Sequence, residues 1–448
     1  MAHKTPREVI LLVLLKVIKD GEYCGAAINE ALMTERFSDR ENAFVRTVCE
    51  GTIERMIEID YIIDSFASIP TAQMKPIIQN ILRSAVYQMK YMDSVPNSAA
   101  CDEAVKLAQK MGFYNLKGFV NGVLRNIARN LDSIDYPDKS FVMEHLSVKY
   151  SMPRWIVKMW ADEYGTEVTE RMLKYFLMQK KMTVRMPFDS EKRQKAIDSL
   201  LSQSVTLKRA AYLGYAYEIS DFKSLNDLAA FRNGLIYPQD IGSMLAAHAA
   251  DPQKGDTIFD LCAAPGGKSL QLADMMGGFG MVEARDLTVD KINLIKENLE
   301  RTGQINVHAV QRDATVYDEN SAGKADMVFC DVPCSGLGVI RRKPDIKYRR
   351  TLEDIEDLVI LQRSILHNAA AYVKPGGILM YSTCTVGHLE NKDNYEWFLE
   401  NYPFKPDSLD PHIPRELCQL STAEGYLQLI PGVHRSDGFF IARFKKEQ

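Results

Sequence analysis

From about residue 251 onward, short apolar runs alternate with longer amphipathic segments, and this rhythm constrains the fold more than any other feature of the chain. Five runs have the length and the β-branched or aromatic content of buried strands: 257–261, 280–285, 307–310, 327–330 and 378–382. Strands that alternate with helices predict a parallel, doubly wound α/β sheet. Such sheets bind ligands at the carboxyl ends of their strands, so the residues that follow each run are candidate functional residues.

The first run leads into the loop DLCAAPGGK, residues 260–268. Its two glycines allow the backbone to approach a ligand at the N-terminus of the next helix. The loop therefore predicts a nucleotide-like cofactor held by Cys262, Ala263, Ala264, Pro265, Gly266, Gly267 and Lys268. The phosphate loop of ATPases and GTPases requires a glycine where this chain has Cys262, which argues against that class.

Acidic residues also follow the second and third runs. Asp286 lies about twenty residues after the loop, where a carboxylate can bind both hydroxyls of a ribose. Asp313 can reach an adenine amino group by the same geometry. A single acid at a strand end is as often a helix cap as a ligand. Together with the glycine loop, the acids favour the cofactor interpretation.

Two cysteines follow the fourth and fifth runs. Asp331 and Cys334 come just after one, and Cys384 comes just after the other. Because adjacent strand ends meet at one edge of the sheet, we expect both thiols in one cleft. The other cysteines outside the loop are interpreted as packing residues: Cys24, Cys49, Cys101, Cys330 and Cys418.

A pair of thiols suits methylation of carbon 5 of cytosine, which is a poor nucleophile until a thiolate adds to carbon 6. Sulfur is both a good nucleophile and a good leaving group, and a positive group such as Lys268 lowers a thiol pKa. Asp331 can stabilise the charge that builds on the ring. The second thiol, Cys334, can assist loss of the carbon 5 proton.

The net charge of −4 means that a polyanion must be bound by local basic patches. Six basic residues stand just after Cys334, with one acid among them: Arg341, Arg342, Lys343, Lys347, Arg349 and Arg350. A charge run is usually a solvated helix or loop face, but this one lies beside the predicted cleft. We therefore expect it to contact RNA phosphates.

A chain of 448 residues predicts two or three domains. Helical spacing continues through residues 1–138 and predicts an all-α domain without a catalytic constellation. Residues 139–230 mix helices with a strand candidate at 182–186 and predict a small α/β connector with an RNA-contacting role. Residues 231–448 then form the domain that carries the loop and the thiols.

The sequence also weighs against other classes of protein. The apolar run 9–18 is interrupted by Lys16 and lacks a cleavage site, so it predicts a buried first helix and not a signal peptide. No other stretch has membrane-spanning length. The cysteine spacing favours reduced thiols, and Cys330 with Cys334 lacks the further ligands that zinc requires. We expect a cytoplasmic monomer without a metal.

Residues 1–138 resemble the RNA-binding antitermination factor NusB. The resemblance rests on the order of short motifs: Arg7-Glu8 before a long apolar helix, Phe44-Val45-Arg46 with Gly51, Val95-Pro96, and FVNGVLR at 119–125. It implies binding of RNA or of a partner protein.

Residues 139–448 are similar to the Nop2/Sun family of RNA cytosine-5 methyltransferases, in particular to its bacterial Fmu/Sun type. The matching segments are DLCAAPGGKS, DVPCSGLGVIRRKPDIKY, YSTCT and DGFF, in that order. The NusB-like domain matches an extension found in that type.

This second resemblance implies a Rossmann-like class I methyltransferase domain, S-adenosylmethionine as cofactor and free 16S ribosomal RNA as substrate. It assigns the nucleophile to Cys384, release to Cys334, and cofactor contact to the residues matching Cys262–Lys268, Asp286, Asp313 and Asp331. The chain departs from the family at Met186-Pro187 and at Met244, where an asparagine and a glutamine are usual. These departures concern RNA contacts and not the chemistry.

Three alternatives are weighed against this function. DNA cytosine-5 methyltransferases take their nucleophile from the Pro-Cys loop and have no second cysteine in the Thr-Cys position, so Cys384 argues against them. The substrate could instead be transfer RNA or another RNA. A non-catalytic RNA-binding assembly factor would have little use for two thiols and three cofactor acids.

Overall fold

The computed structural model describes residues 4–448, which form two compact units. The first comprises the chain up to Leu177 together with Ile340–Arg349, and the second comprises Met178–Val339 and Arg350–Gln448. The boundaries predicted at residues 138 and 230 do not coincide with this division. The helices between Val142 and Phe176, assigned to the connector from the sequence, belong to the helical unit.

The first unit is all-α. Its α-helices are α1 (Pro6–Ile18), α2 (Cys24–Thr34), α3 (Asp39–Glu54), α4 (Met56–Phe66), α5 (Pro76–Tyr91), α6 (Asn97–Lys110), α7 (Lys117–Asn130), α8 (Val142–Lys149), α9 (Arg154–Tyr164) and α10 (Thr166–Phe176). Capping boxes at Thr5 and Ser38 satisfy the first backbone amides of α1 and α3.

Helix α1 is buried on most of its surface, since Val9, Ile10, Leu11, Val13 and Leu14 are all at most 2% exposed. This confirms the interpretation of the first apolar run as a buried helix. Among residues 4–448, the helices are all too short or too polar to span a bilayer.

The second unit carries the remaining elements. In chain order they are β1 (Met182–Arg185), α11 (Ser190–Ser202), β2 (Thr206–Arg209), β3 (Ala216–Ser220), α12 (Ala229–Arg232), β4 (Tyr237–Pro238), α13 (Ile241–Ala250), β5 (Thr257–Asp260), α14 (Gly267–Met275), β6 (Met281–Asp286), α15 (Val289–Thr302), β7 (Val307–Gln311), β8 (Ala325–Asp331), α16 (Leu352–Tyr372), β9 (Val373–Thr383), α17 (Lys392–Asn401), β10 (Phe404–Pro406), α18 (Leu420–Ala423), β11 (Tyr426–Leu429) and β12 (Phe439–Lys446).

These strands form two sheets. The larger has the order β10-β12-β9-β8-β5-β6-β7, with β11 also paired to β12. Strands β9, β8, β5, β6 and β7 are parallel, so their carboxyl ends share one edge. The smaller, antiparallel sheet has the order β2-β3-β1-β4.

The five predicted runs correspond to β5 through β9, which confirms the Rossmann-like class of this domain. The candidate strand at 182–186 is β1. The hairpin of β2 and β3 and the antiparallel strands β10 to β12 were not predicted. Strand β2 is mostly exposed and has no apolar alternation, and β12 pairs with β9 far earlier in the chain, so apolar spacing does not report them.

Candidate active site

A cavity of about 180 Å³ opens at the carboxyl end of β5. Residues of the predicted loop line it: Cys262, Ala263, Ala264, Pro265, Gly267 and Lys268. Residues that the sequence did not single out complete the lining with Asp331: Tyr237, Pro238, Gln239, Asp240, Ser243 and Asp260. Those from 237 to 243 come from β4 and the start of α13.

Gly266 has a φ of +100° and is the residue before α14. This left-handed conformation favours glycine, and a Cβ atom there would also contact Ile295 at 3.5 Å. A cofactor that binds at a helix N-terminus would meet the first backbone amides of α14 at this turn.

Asp260 is 1% exposed at the base of the cavity. Its Oδ2 accepts a 2.5 Å hydrogen bond from the Ser269 hydroxyl, whereas its Oδ1 is buried without a hydrogen-bond partner among residues 4–448. Burial raises the pKa of Asp260 to about 7. A buried, unpaired acceptor is costly, which indicates an oxygen reserved for a ligand that donates to it.

We expect Asp260→Asn to stabilise the second unit at pH 8, because it removes a buried carboxylate. When folding raises the pKa of an acid, the protein loses stability as pH rises from the unfolded pKa near 4 to the folded pKa near 7. The gain in unfolding free energy should therefore be roughly 1–4 kcal/mol at pH 8 and much smaller at pH 5. Urea unfolding at both pH values measures it, with the exposed Asp290→Asn as control. An equal gain at pH 5 and pH 8 would contradict the raised pKa.

The two strand-end acids lie outside the cavity lining. Asp286 is buried, and its Oδ2 accepts a 2.9 Å hydrogen bond from the amide of Ala264 in the loop. Its Oδ1 accepts from the Leu287 amide and lies 2.9 Å from the Lys291 ammonium. Asp313 caps its own turn by accepting from Thr315. Asp286 thus borders the cavity through Ala264, and Asp313 has the local bonding of a capping residue.

Asp331 and Lys268 form a half-buried ion pair, with the ammonium nitrogen 2.5 Å from Oδ2. Oδ1 of Asp331 accepts a 2.8 Å hydrogen bond from Ser382 on β9. Burial acts to lower the pKa of Lys268, but the Asp331 carboxylate outweighs it and holds the pKa above its ordinary value. Lys268 is therefore a cation, and its charge is largely compensated by Asp331.

The two thiols that the sequence placed together are in contact. The sulfur atoms of Cys334 and Cys384 are 3.3 Å apart, at the ends of β8 and β9. The hydrogen bond with Cys384 and burial raise the pKa of Cys334 well above its ordinary value. Cys334 therefore keeps its proton and can donate it to the Cys384 sulfur.

Close backbone packing holds the Cys334 loop beside β9. The Gly338 amide donates to the Cys384 carbonyl at 3.0 Å, and the Gly438 amide donates to the Gly338 carbonyl at 2.8 Å. A Cβ atom on Gly338 would lie 2.3 Å from the Gly438 oxygen, so there is no room for a side chain at either glycine. This explains the glycine of the DGFF segment, whose Phe439 ring also lies 5.5 Å from the Lys268 nitrogen.

The basic run does not form one exposed surface. Lys347 is 1% exposed within the helical unit and donates to the carbonyls of Glu54 and Ser151 at 2.8 and 2.5 Å. Burial lowers its pKa to about 7. Arg349 donates to the carbonyls of Gly21 and Glu22 and pairs with Asp345. The expectation that Lys347 and Arg349 contact phosphates is corrected, because both are bonded within the protein.

The other four basic residues are differently placed. Lys343 is exposed, and Arg341, Arg342 and Arg350 are half-buried. The Arg341 guanidinium lies over the Tyr175 ring at 4.4 Å, and Arg350 donates to the Ser335 carbonyl at 3.2 Å.

Among residues 4–448, no three His, Cys, Asp or Glu side chains are grouped as metal ligands would be.

Comparison with known proteins gives concordant findings. Residues 247–445 match the family model described as 16S rRNA methyltransferase RsmB/F, and residues 4–129 match that of the NusB family. The chain is 34% identical to the probable ribosomal RNA small subunit methyltransferase B of Bacillus subtilis (strain 168), and the match covers 100% of each chain.

Two solved structures are also similar. A methyltransferase homologue from Pyrococcus horikoshii has a TM-score of 0.58 at 26% identity, over 68% of this chain and 99% of that chain. The protein PH0851 has a TM-score of 0.80 at 24% identity, over 99% of this chain and 100% of that chain, and supports the fold alone.

Proposed function

The chain belongs to the ribosomal RNA small subunit methyltransferase B family, and on that premise we propose that it methylates carbon 5 of a cytosine in 16S ribosomal RNA through a covalent cysteine adduct. The observation that carries the proposal is the 3.3 Å contact between the Cys334 and Cys384 sulfurs at adjacent strand ends. Methyl transfer to an oxygen or an exocyclic nitrogen would need no second thiol there.

The cavity residues fit S-adenosylmethionine as the cofactor. Asp260 offers a buried, unpaired oxygen to a cationic donor such as the amino group of the methionine portion. When bound, this cofactor supplies an electrophilic methyl group. The loop from Cys262 to Lys268 would hold it, with Asp286 at the ribose and Asp313 and Asp331 as further contacts.

The thiol contact supports separate roles for the two cysteines. A Cys334 that keeps its proton favours the anion on Cys384, so Cys384 adds to carbon 6 of the ring. Asp331 and Lys268 then face the charge that builds on the pyrimidine. Once the Cys384 sulfur is bonded to carbon 6, the main cause of the raised Cys334 pKa is gone. Cys334 can then release its own proton to solvent, and the resulting thiolate accepts the carbon 5 proton.

RNA contact is proposed for Arg341, Arg342, Lys343 and Arg350, close in sequence to Cys334. Arginine and lysine side chains bind phosphates without reading bases, which positions the strand. The target cytosine must leave its stack, so a loop or single strand is the least costly substrate. The NusB-like helices would add RNA affinity.

The proposed substrate is tested by bisulfite sequencing of ribosomal and transfer RNA from cells with the gene, without it, and complemented with Cys384→Ala. We expect one protected cytosine in 16S ribosomal RNA only in the first strain. If a cytosine in transfer RNA is protected only in the strain with the gene, the substrate is transfer RNA and not 16S ribosomal RNA. If the protected cytosines are the same in all three strains, the protein has a non-catalytic role.

Cofactor affinity should depend on Asp286. Its removal takes away both the proposed ribose contact and the hydrogen bond to the Ala264 amide. We expect Asp286→Ala to weaken S-adenosylmethionine binding by roughly 1–3 kcal/mol. Isothermal calorimetry measures this, with the neighbouring exposed acid Asp290→Ala as control. Wild-type affinity in a folded Asp286→Ala protein would place the ribose elsewhere.

A further inference from the structure

A buried carboxylate lies behind the two thiols, in the segment between β9 and α17. Glu390 is 1% exposed, and burial raises its pKa. No Lys, Arg or His within residues 4–448 forms an ion pair with it. A buried carboxylate without an ion-pair partner destabilises the fold unless hydrogen bonds compensate for its lost hydration.

The Glu390 carboxylate holds Ser335 directly and Pro333 through Gln362, on the two sides of Cys334. Oε1 accepts from the Ser335 amide at 2.7 Å and Oε2 accepts from the Ser335 hydroxyl at 2.5 Å. Gln362 donates at 3.0 Å to Oε1 and also at 3.0 Å to the Pro333 carbonyl. Cys334 therefore stands between two residues that are fixed through one carboxylate.

The next residue, Asn391, holds the segment around the other thiol. Its Oδ1 accepts from the Thr383 hydroxyl at 2.5 Å, and its Nδ2 donates to the Thr385 carbonyl at 3.2 Å. The hydroxyls of Ser335 and Thr385 are 2.8 Å apart and close the network. The adjacent residues Glu390 and Asn391 thus set the position of Cys334 relative to Cys384.

The two thiols differ in how strongly they depend on this network. Cys384 follows a strand that is paired on both sides, to β8 and to β12, so its backbone is fixed by the sheet. Cys334 lies in a loop beyond the end of β8. Loss of the carboxylate should therefore displace Cys334 more than Cys384.

We propose that Glu390 is a positioning residue that places Cys334 for the release step, an inference that rests on the proposed covalent mechanism. In that step the C5–H bond breaks and its proton passes to the Cys334 thiolate. The electron pair forms the C5–C6 double bond, and the C6–S bond breaks with its pair returning to Cys384. A shift of Cys334 by about 1 Å is enough to slow such a proton transfer about a hundredfold.

The test compares Glu390→Ala and Glu390→Gln with the exposed Glu396→Ala on α17 as control. Single-turnover methyl transfer and the lifetime of the protein–RNA adduct are followed with labelled RNA on denaturing gels. We expect Glu390→Ala to lengthen the adduct lifetime at least about tenfold and to slow methyl transfer less than about threefold. Glu390→Gln, which keeps an acceptor for the Ser335 amide, should restore most of the release rate.

Ser335→Ala provides a second variant should Glu390→Ala fail to fold, and a smaller delay in release is expected. An adduct lifetime like that of the wild type in Glu390→Ala, or in Ser335→Ala alone, would overturn the proposal. Equal slowing of both steps, without rescue by Glu390→Gln, would also overturn it. If neither Cys334→Ala nor Cys384→Ala forms an adduct, the covalent mechanism itself has failed, which is a different result.

Discussion

Cys334→Ala should methylate its RNA once and then remain attached to it. Without a thiol to accept the carbon 5 proton, the C6–S bond to Cys384 cannot break, because the ring cannot recover its double bond. The methylated RNA should therefore migrate with the protein on a denaturing gel.

Cys384→Ala should form no adduct, and its turnover should fall by on the order of 10⁴-fold or more, as when other covalent nucleophiles are removed. The double variant should behave in the same way. Cofactor affinity should be unchanged in all three, because neither sulfur lines the loop cavity. Cys418, interpreted from the sequence as a packing residue, is exposed in the structure, so Cys418→Ala is the matched control.

The asymmetry between the variants makes the assignment testable. An adduct with Cys384→Ala and none with Cys334→Ala would exchange the two roles and place the nucleophile in the Pro-Cys loop. No adduct with either would mean that the 3.3 Å contact is ordinary packing, and the covalent mechanism would have to be abandoned.

The thiol pair could be predicted from the sequence because the geometry of a parallel sheet is regular. Residues just past two neighbouring strands must meet at one edge, whatever the loops between them do. The same reasoning identified the loop before α14 and Asp331. The sequence pattern alone does not decide the role of Asp313, because a strand-end acid that caps its own turn has the same pattern as one that binds a ligand.

Contacts between residues distant in the chain were not predictable in this way. Lys347 and Arg349 stand in a run of charges that is typical of a solvated surface, yet Ile340–Arg349 packs within the helical unit. Glu390 resembles any glutamate at the start of a helix. The lining residues from Tyr237 to Ser243 begin in a two-residue strand whose apolar pattern is too short to identify from the sequence. Only tertiary packing determines which of these side chains are buried.

The pair of Asp331 and Lys268 should be required for the chemical step. Asp331→Asn keeps the shape of the side chain but removes the charge that holds the Lys268 pKa high, and Lys268→Met removes the cation. We expect either change to slow single-turnover methyl transfer by about 10²–10³-fold, as for loss of other groups that stabilise a developing charge.

The double variant separates a joint role from two independent ones. If the two residues act as a unit, Asp331→Asn with Lys268→Met should be little slower than either single variant, which gives a coupling free energy of about 3–4 kcal/mol. A matched control lies at the other end of β8, the strand that ends at Asp331. There Asp326 pairs with Lys374 at 2.6 Å. Asp326→Asn and Lys374→Met should leave methyl transfer near the wild-type rate. Additive effects at Asp331 and Lys268 would mean that each acts alone. Rates for Asp331→Asn no lower than for Asp326→Asn would remove Asp331 from the mechanism.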